Sequence, residues 1–231
     1  MVDKGRDRIA GMFDAIAPRY DLLNRVLSAG IDRQWRDRAI RSLALTGRER
    51  VVDVCAGTAD VSLQATGAAR VIGVDFAAAM LRIGLQKVRA AGQGSRITLV
   101  HGDATSLPLG DGTVDAATVA FGIRNVERPE LACREMARVL RPGGRLAILE
   151  FGVPRIPGIR ACYLWYFKYV LPLIGRTVSG HNAAYSYLPA SVGTFPPPAE
   201  FVEILSRAGF SDVKADALTF GIVYLYTARR A

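Results

Sequence analysis

Residues 51–60 predict a buried strand that runs into a glycine turn and then into a helix. The valines are typical of a central strand in a parallel sheet, Gly57 relieves the backbone at the turn, and Asp60 stands where a helix would begin. Small molecules dock at the carboxyl ends of parallel strands, so this junction predicts a nucleotide-like ligand site. A plain packing junction would show the same pattern.

The turn lacks the glycine patterns that hold phosphates. A dinucleotide-binding turn has three glycines in the order G-x-G-x-x-G, whereas Gly57 stands here with Ala56 and Ala59. No Gly-Lys-Ser or Gly-Lys-Thr occurs in the chain, which excludes a Walker loop. We therefore expect a ligand that needs no pyrophosphate cradle.

Strands and helices alternate after residue 50, which indicates an α/β fold with a doubly wound, mostly parallel sheet. The pattern predicts strands at 51–54, 71–75, 97–100, 114–119 and 145–151, and helices at 60–66, 77–91 and 129–140. Two further β-rich runs, 213–218 and 221–227, adjoin with no room for a crossover helix. They predict an antiparallel hairpin at a sheet edge, which makes seven strands.

The length of 231 residues suits one domain with additions. Apolar side chains at three- and four-residue spacing predict N-terminal helices, in which Tyr20 and Trp35 are expected to do more than pack. We expect four segments: a helical cap at 1–48, a cofactor-binding core at 49–152, a substrate-covering insertion at 153–199, and a C-terminal helix and hairpin at 200–231.

The composition indicates the cellular compartment of the protein and the classes of partner that it could bind. Three cysteines without C-x-x-C spacing and two histidines predict reduced thiols and no metal centre. The first ten residues alternate charges and lack an apolar signal core, so we expect a cytoplasmic protein. The net charge of +9 calls for an acidic partner, either nucleic acid or an anionic lipid surface.

Carboxylates stand at three successive predicted strands. Asp75 can accept both hydroxyls of a ribose, and Asp103 can accept a hydrogen bond from an adenine amino group. Asp53 lies inside its strand, where an ammonium group would satisfy it. Each acid alone is typical of a cap or a turn. Together, without a phosphate cradle, they favour the cationic S-adenosylmethionine over NAD or ATP.

Three motifs resemble those of Class I methyltransferases: Asp53-x-x-x-Gly57-Thr58-x-Asp60, Gly73-Val74-Asp75 with Met80-Leu81, and Gly102-Asp103-Ala104. The resemblance implies a Rossmann-like fold, and the more specific family resemblance described next implies cofactor contacts on Thr58, Asp75, Asp103 and Ala104. Gly57 would supply the tight turn, with Asp53 and Asp60 near the cationic ligand. Ala59 departs from a glycine that is common in this loop.

A more specific resemblance is to the menaquinone/ubiquinone biosynthesis C-methyltransferases. It rests on Phe13-Asp14-x-Ile16-Ala17-x-x-Tyr20-Asp21-x-x-Asn24, Trp35-Arg36, Phe121-Gly122-Ile123-Arg124-Asn125-Val126, Leu149-Glu150-Phe151 and Tyr185-x-Tyr187-Leu188-Pro189. It implies methyl transfer from S-adenosylmethionine to a ring carbon of a polyprenyl demethylmenaquinol. Methylation of the benzoquinol precursor of ubiquinone is the alternative within the family, and an RNA methyltransferase is the alternative outside it. Ala120 departs from a serine that is frequent before Phe121.

Ring methylation proceeds best when a neighbouring hydroxyl is deprotonated, and a phenol has a pKa near ~10. Arg124 is the candidate that stabilises the anion, and Asn125 can bind the second quinol oxygen. The alternative for Arg124 is a salt bridge to Glu127 or Glu150. The further candidates for pocket closure, proton handling or ring contacts are Tyr20, His181, Tyr185 and Tyr187.

Residues 161–174 are apolar and aromatic, but this stretch is too short for a ~20-residue membrane span. The surrounding region, 151–199, has no Asp or Glu and carries Arg155, Arg160, Lys168 and Arg176. We expect a lid over a prenyl-tail groove, or a surface that contacts the inner face of the membrane. A helix packed on the sheet or at a homodimer interface is the alternative.

No RNA-binding motif is recognisable, so we expect no nucleic-acid partner.

Overall fold

The computed structural model describes residues 5–170 and 182–231, apart from the side chains of 6, 7 and 182–186. The strands are β1 Arg50–Val54, β2 Arg70–Asp75, β3 Ile97–His101, β4 Val114–Ala120, β5 Leu140–Phe151, β6 Phe210–Leu218 and β7 Val223–Arg230. The helices are α1 Arg6–Leu27, α2 Asp32–Ser42, α3 Asp60–Gln64, α4 Ala78–Ala90, α5 Pro129–Val139, α6 Pro157–Trp165, α7 Asn182–Thr194 and α8 Pro198–Arg207. Short 3₁₀ turns span Ile123–Asn125 and Thr219–Gly221, and a π-helical turn spans Tyr166–Val170.

The seven strands form one sheet in the order β3-β2-β1-β4-β5-β7-β6. Strands β1 to β5 run parallel, and β7 pairs antiparallel with both β5 and β6. This confirms the predicted α/β sheet and its C-terminal hairpin. The strand order reverses between β1 and β4, and ligands bind at the carboxyl ends of strands at such a switch point.

Helices cover both faces of the sheet because successive strand residues point to opposite sides. Val52 and Val54 pack in a core with α5 and α8, where Met136 and Phe201 are fully buried. Val51 faces the other core, which includes residues of α2 and α4. The valine run of β1 is therefore buried on both sides, as expected for a central parallel strand.

The fifth strand differs from its prediction. It begins at Leu140, whereas the turn-like Pro142-Gly143-Gly144 predicted a start at Arg145. Leu140 pairs with Val114, and the ladder then resumes at Arg145 opposite Ala116. Gly143, with φ of +73°, lies in the intervening bulge. The predicted turn is thus an irregularity inside a longer strand.

The aromatic stretch forms α6 and the π-helical turn up to Val170. Its last residues, 171–174, lie outside the described residues. Among the helices that the structure describes, none combines the length and the apolarity needed to cross a bilayer.

Gly122 lets the loop after β4 approach the loop after β1. A Cβ at this position would clash with the Cβ of Cys55 and lie 3.0 Å from its Sγ. Because a Cβ atom is fixed by its own backbone, Cys55 cannot relieve this contact by rotating its side chain. The glycine therefore sets the spacing between β1 and the 3₁₀ turn that carries Arg124.

We expect Gly122→Ala to lower the free energy of unfolding by about 1–3 kcal/mol, the usual effect of overpacking. Gly158→Ala is the matched control, since no atom would lie within 4 Å of the new methyl group. That control should be neutral or slightly stabilising because alanine favours a helix. Urea unfolding of both variants measures the difference, and equal midpoints would contradict the close approach.

Candidate active site

Two adjoining cavities open at the carboxyl ends of the parallel strands. The small cavity has a volume of about 30 Å³ and lies among the loops after β1, β2 and β4. The large cavity has a volume of about 390 Å³, within the range of small-molecule sites, and lies between the N-terminal helices and α6. Phe13, Tyr20 and Phe121 line both cavities. The two cavities are therefore adjacent.

Asp75 ends β2 and faces the small cavity. Its Oδ2 accepts the Gly57 N–H and its Oδ1 accepts the Ala77 N–H, each at 2.8 Å. Burial raises the pKa of Asp75, while these two backbone donors lower it. A carboxylate offers about four lone-pair sites, so Asp75 retains capacity for ribose hydroxyls.

The loop after β1 has left-handed backbone at three alternate positions: Cys55, Gly57 and Ala59 have φ of +57°, +54° and +64°. Only glycine adopts this conformation without strain. This explains why a glycine is common at the position of Ala59, and strained backbone is often found at functional sites. Ala59 is the N-cap residue of α3, so the conformation of the loop sets the direction of Asp60 and of the first turn of that helix.

Asp53 is buried beneath this loop, with 1% of its surface exposed. Its Oδ2 accepts the Ser62 hydroxyl at 2.6 Å. Among the described residues, its Oδ1 has no hydrogen-bond partner, and neither has Oγ1 of Thr118, its register neighbour on β4. Burial is the main cause that raises the pKa of Asp53 to about 7. A nearby ammonium group would favour its ionised form.

Thr58 and Asp60 belong to an ionic network beneath α1. The Thr58 hydroxyl donates to Asp21 of α1 at 2.6 Å and accepts from Lys87 of α4 at 3.2 Å. Lys87 also pairs with Asp21 at 2.7 Å and with Asp60. Asp60 in turn lies 3.3 Å from Arg36 of α2. The network ties the N-terminal helices to the predicted cofactor loop.

Helix α1 covers the small cavity. Asp14 of α1 accepts the Ala79 N–H at 2.8 Å and so caps α4, whose own first turn supplies no side-chain cap. Phe13 and Tyr20 point to the cavity from the same helix. The volume of about 30 Å³ shows that these side chains fill most of the crevice.

Asp103 and Ala104 follow β3, which ends at His101. Oδ1 of Asp103 accepts the N–H and the hydroxyl of Thr105, each at 2.8 Å. Ala104 is buried in the core beside β1 and β2. Asp103 therefore lies two residues beyond the strand, in a turn that its own side chain stabilises.

Aromatic side chains dominate the large cavity. Phe121 stacks on Phe151 with ring centroids 4.5 Å apart, and both rings contact Trp35. The Trp35 Nε1–H donates to the Thr219 hydroxyl at 2.9 Å, which anchors α2 to the turn before β7. Helix α6 and the following turn close the other side with Ile159, Cys162, Tyr163, Tyr166 and Phe167. These residues recur at three- and four-residue spacing, so they form one face of the helix, and that face borders the cavity.

Arg124 forms a buried salt bridge with Glu150, which confirms the alternative that the sequence left open for it. Its Nη1 lies 2.8 Å from Oε1 of Glu150, and its backbone N–H donates to Oε2 at 3.1 Å. The guanidinium also donates to the Phe121 carbonyl and lies 5.3 Å above the Phe151 ring. Arg124 lines the large cavity, so it can still face a ligand.

The other predicted residues are placed as follows. Asn125 lines the small cavity, and its buried Oδ1 has no partner among the described residues. Tyr20 lines both cavities, and burial raises its pKa. His181 and the side chain of Tyr185 lie outside the described residues. Tyr187 lines the large cavity.

Sequence reasoning missed Tyr163, Asp21 and Lys87 as individual site residues. Tyr163 gave no signal of its own, because α6 is apolar on both faces and the sequence does not show which face borders the cavity. Asp21 and Lys87 lie 66 positions apart, and no local signal joins them. Their pairing depends on the packing of α1 against α4.

The sheet order, the carboxylates after its first strands and the crevice beside an aromatic cavity define a Class I S-adenosylmethionine-dependent methyltransferase. The ubiE/COQ5 methyltransferase family matches residues 1–230, and the chain belongs to this family.

Relatives agree with this family, and solved structures agree with the fold. The chain is 49% identical over 223 residues to "Ubiquinone/menaquinone biosynthesis C-methyltransferase UbiE" of Syntrophotalea carbinolica, covering 95% of this chain and 93% of the relative. It is 41% identical over 230 residues to "Demethylmenaquinone methyltransferase" of Bacteroides fragilis, covering 98% and 94%. The fold is similar to that of the cyclase SpnF, with a TM-score of 0.73, 19% identity and coverage of 97% and 96%. It is also similar to a SAM-dependent methyltransferase from Aquifex aeolicus, with a TM-score of 0.58, 18% identity and coverage of 85% and 89%.

The raised pKa of Asp53 predicts how stability depends on pH. Between about pH 4, where an unfolded aspartate ionises, and the folded value of about 7, only the folded state holds the proton. Rising pH therefore destabilises the protein in this window, by about 1.4 kcal/mol per pH unit at most. Asp53→Asn, which does not ionise, should gain stability relative to the wild type from pH 5 to 7. Above pH 7 the difference should level off.

Urea unfolding at pH 5, 6, 7 and 8 measures this difference. Asp216→Asn, a change on the exposed face of edge strand β6, serves as the control. A difference between Asp53→Asn and the wild type that stays constant across this pH range would show that Asp53 does not carry the proton.

Proposed function

We propose that this methyltransferase transfers the methyl group of S-adenosylmethionine to a ring carbon of a polyprenyl demethylmenaquinol. The observation that carries the proposal is the shared wall of the two cavities, formed by Phe13, Tyr20 and Phe121. A cofactor in the crevice of the small cavity would present its methyl group to a ring held in the aromatic cavity. The names of the relatives in the ubiE/COQ5 family support a quinol as that ring.

The residues of the crevice fit the cofactor. Asp75 would hold the ribose, Gly57 would let the backbone pass close to the ligand, and the unpartnered Oδ1 of Asp53 would face its cationic methionine end. When bound, S-adenosylmethionine supplies an electrophilic methyl group on a positively charged sulfur. Thr58 and Asp60 would become available once α1 moves and the contacts with Asp21 and Lys87 open. Asp103 and Ala104 would border the adenine.

The chemistry follows from the groups around the large cavity. Loss of the quinol O–H proton leaves an oxyanion, whose electrons make the neighbouring ring carbon nucleophilic. A carbon–carbon bond to the methyl group would form as the sulfur–methyl bond breaks, with its electron pair going to sulfur. The proton on the methylated carbon would then pass to water, which restores the aromatic ring. Arg124, held by Glu150, would stabilise the oxyanion, and Asn125 would bind the other oxygen.

The segments 1–48 and 153–199 would act as covers over the core. The face of α6 opposite the cavity exposes Leu164 and Trp165, and Tyr169 follows them, with 47%, 59% and 55% of their surface accessible. The exposed basic residues nearby are Arg155, Arg160 and Lys168. An apolar surface with a basic border suits contact with an anionic membrane, from which a prenylated quinol would enter. We propose a cytoplasmic enzyme that contacts the inner face of the membrane.

A third cavity, which is apolar and has a volume of about 200 Å³, shares Tyr163 and Phe167 with the large cavity. It offers the prenyl tail a path beyond the ring site.

The benzoquinol precursor of ubiquinone remains the second candidate substrate, since the relative of 49% identity is named for both quinones. The apolar lining offers little to an RNA backbone, which carries a phosphate at each nucleotide.

The assay that tests this function uses radiolabelled S-adenosylmethionine with demethylmenaquinol and with the demethylated ubiquinol precursor. Each acceptor is supplied reduced and oxidised. We expect label on the reduced naphthoquinol and none on the oxidised form, which has no hydroxyl to ionise. Transfer to neither quinol would overturn the proposal, and transfer to the benzoquinol alone would favour the second candidate.

We expect Arg124→Lys to lower kcat by about 100-fold, since lysine keeps the charge but lacks the planar guanidinium that spans several acceptors. Affinity for S-adenosylhomocysteine, measured by calorimetry, should change by less than about threefold. Arg124→Ala is less informative because removing one partner of a buried ion pair destabilises by about 3–5 kcal/mol. Arg124→Gln combined with Glu150→Gln removes both charges and should lower kcat by at least about 100-fold as well. Normal turnover of either variant would remove Arg124 from the mechanism.

We expect the protein to co-sediment with vesicles that contain anionic lipid. Trp165→Ser should weaken this binding by about tenfold because an interfacial aromatic ring is lost. Phe220→Ser is the control, since Phe220 is also exposed, at 67%, but lies in the turn before β7. Unchanged binding of Trp165→Ser, or its loss together with dissociation of a dimer, would instead favour a surface that packs on a second copy.

A further inference from the structure

A hydrogen bond in the wall of the large cavity fixes a tryptophan ring. The Nε1–H of Trp35 on α2 donates to the Thr219 hydroxyl at 2.9 Å, although the two residues are 184 positions apart. Both residues line the large cavity. Trp35 is otherwise packed in the core, with 7% of its surface exposed, and an indole N–H in such a place needs a partner. Thr219 supplies that partner.

The turn that carries Thr219 is strained. Thr219, Phe220 and Gly221 have φ of +45°, +59° and +85°. Glycine adopts left-handed backbone readily, whereas a β-branched threonine in this region is a genuine outlier. Strained residues of this kind cluster at active and binding sites. We therefore examined what the hydroxyl of Thr219 does for the cavity.

The Trp35 ring contacts two other rings of the cavity at steep angles. Its centroid lies 6.1 Å from that of Phe121 at an interplanar angle of 60°, and 6.4 Å from that of Phe151 at 90°. The centroids of Phe121 and Phe151 lie 4.5 Å apart. We call these three side chains the ring cluster. Because aromatic contacts depend on ring angle and separation, the hydrogen bond to Thr219 helps to set the surface that the cluster offers.

The ring cluster extends from the cofactor crevice into the large cavity. Phe121 lines both cavities. Trp35, Phe151 and Thr219 line the large cavity, and none of them is among the described residues that line the small one. The Arg124 guanidinium lies 5.3 Å above the Phe151 ring. An acceptor whose reacting carbon lies beside Phe121 would therefore extend toward Trp35 with its unreactive side.

This direction distinguishes two classes of acceptor. In a demethylated naphthoquinol, the carbon that receives the methyl group lies on the side of the quinol ring opposite the fused benzene ring. A benzoquinol has no second ring on that side. With the reacting carbon beside Phe121, only the naphthoquinol brings an aromatic ring to Trp35, where an edge-to-face or offset contact adds to the burial of apolar area.

We propose that Thr219 is a positioning residue for acceptor specificity, whose hydroxyl holds the Trp35 ring so that the ring cluster recognises the fused benzene ring of a naphthoquinol. This inference rests on the proposed function, since it concerns the ring site of the same acceptor. Thr219 acts through Trp35 and needs no contact with the acceptor. It affects binding of the ring and takes no part in proton or methyl transfer.

The first test measures KM and kcat for demethylmenaquinol and for the demethylated ubiquinol precursor with a prenyl tail of the same length. Thr219→Val keeps the β-branched shape but removes the hydrogen-bond acceptor. It should raise KM for the naphthoquinol by about tenfold, the effect of one hydrogen bond, and change kcat and the benzoquinol KM by less than about twofold. Thr219→Ser keeps the hydroxyl and should restore the naphthoquinol KM to within about twofold of the wild type.

Thr113→Val is the matched control. It also removes a threonine hydroxyl, which donates to the Gly110 carbonyl at 2.8 Å just before β4, at the opposite end of the strand from the cavities. This variant should leave both KM values unchanged. If the hydrogen bond of Thr219 served only the stability of the fold, Thr219→Val would lower the melting temperature and affect both acceptors alike. That result, or an unchanged naphthoquinol KM, would overturn the inference.

The second test does not need turnover. Equilibrium dialysis measures the binding of 2,3-dimethyl-1,4-naphthoquinone and of its one-ring counterpart, tetramethyl-1,4-benzoquinone. The wild type should bind the naphthoquinone more tightly, and Thr219→Val should weaken that binding alone by about tenfold. Equal naphthoquinone binding by both proteins, no binding by the wild type, or a wild type that prefers the benzoquinone would overturn the inference. Binding that depends on Thr219 in a wild type that methylates neither quinol would overturn the proposed function alone.

Discussion

The buried ion pair between Arg124 and Glu150 is the interaction on which the catalytic end of the sheet depends. Glu150 lies one residue before the end of β5 with no exposed surface, and a carboxylate there is tolerated only if donors surround it. Arg124 supplies its guanidinium and its backbone N–H, and both lie in the 3₁₀ turn after β4. The pair therefore fixes the turn that holds Asn125 and the position of the Phe151 ring.

The two cavities depend on the N-terminal helices as much as on the sheet. Asp14 and Asp21 are two helical turns apart on α1, and they bind α4 at its start and at Lys87. Between these contacts, α1 presents Ile16 and Ala17 to a small cluster with α4. The same helix closes the crevice predicted for the cofactor and forms part of the aromatic cavity.

Much of the site was predictable where a residue's role follows from its neighbours in the chain. Gly57 and Asp75 lie at the ends of strands that show clear β patterns, and the structure places both at the small cavity. Ala59 stands where related chains commonly have glycine, and its left-handed backbone explains that preference for glycine. The hydrogen bond from the Thr58 hydroxyl to Asp21 was not predictable, because it joins residues 37 positions apart.

The sequence by itself determined the alternation of strands and helices, the antiparallel end of the sheet and the family to which the chain belongs. Only the tertiary structure decided that Arg124 pairs with Glu150, an alternative to Glu127, and that Tyr163 faces a cavity while Trp165 faces outward. Strand periodicity and turn residues are local signals, readable over a few positions. Charge pairing and the choice between two apolar helix faces depend on which distant segments pack together, and a single sequence does not record those contacts.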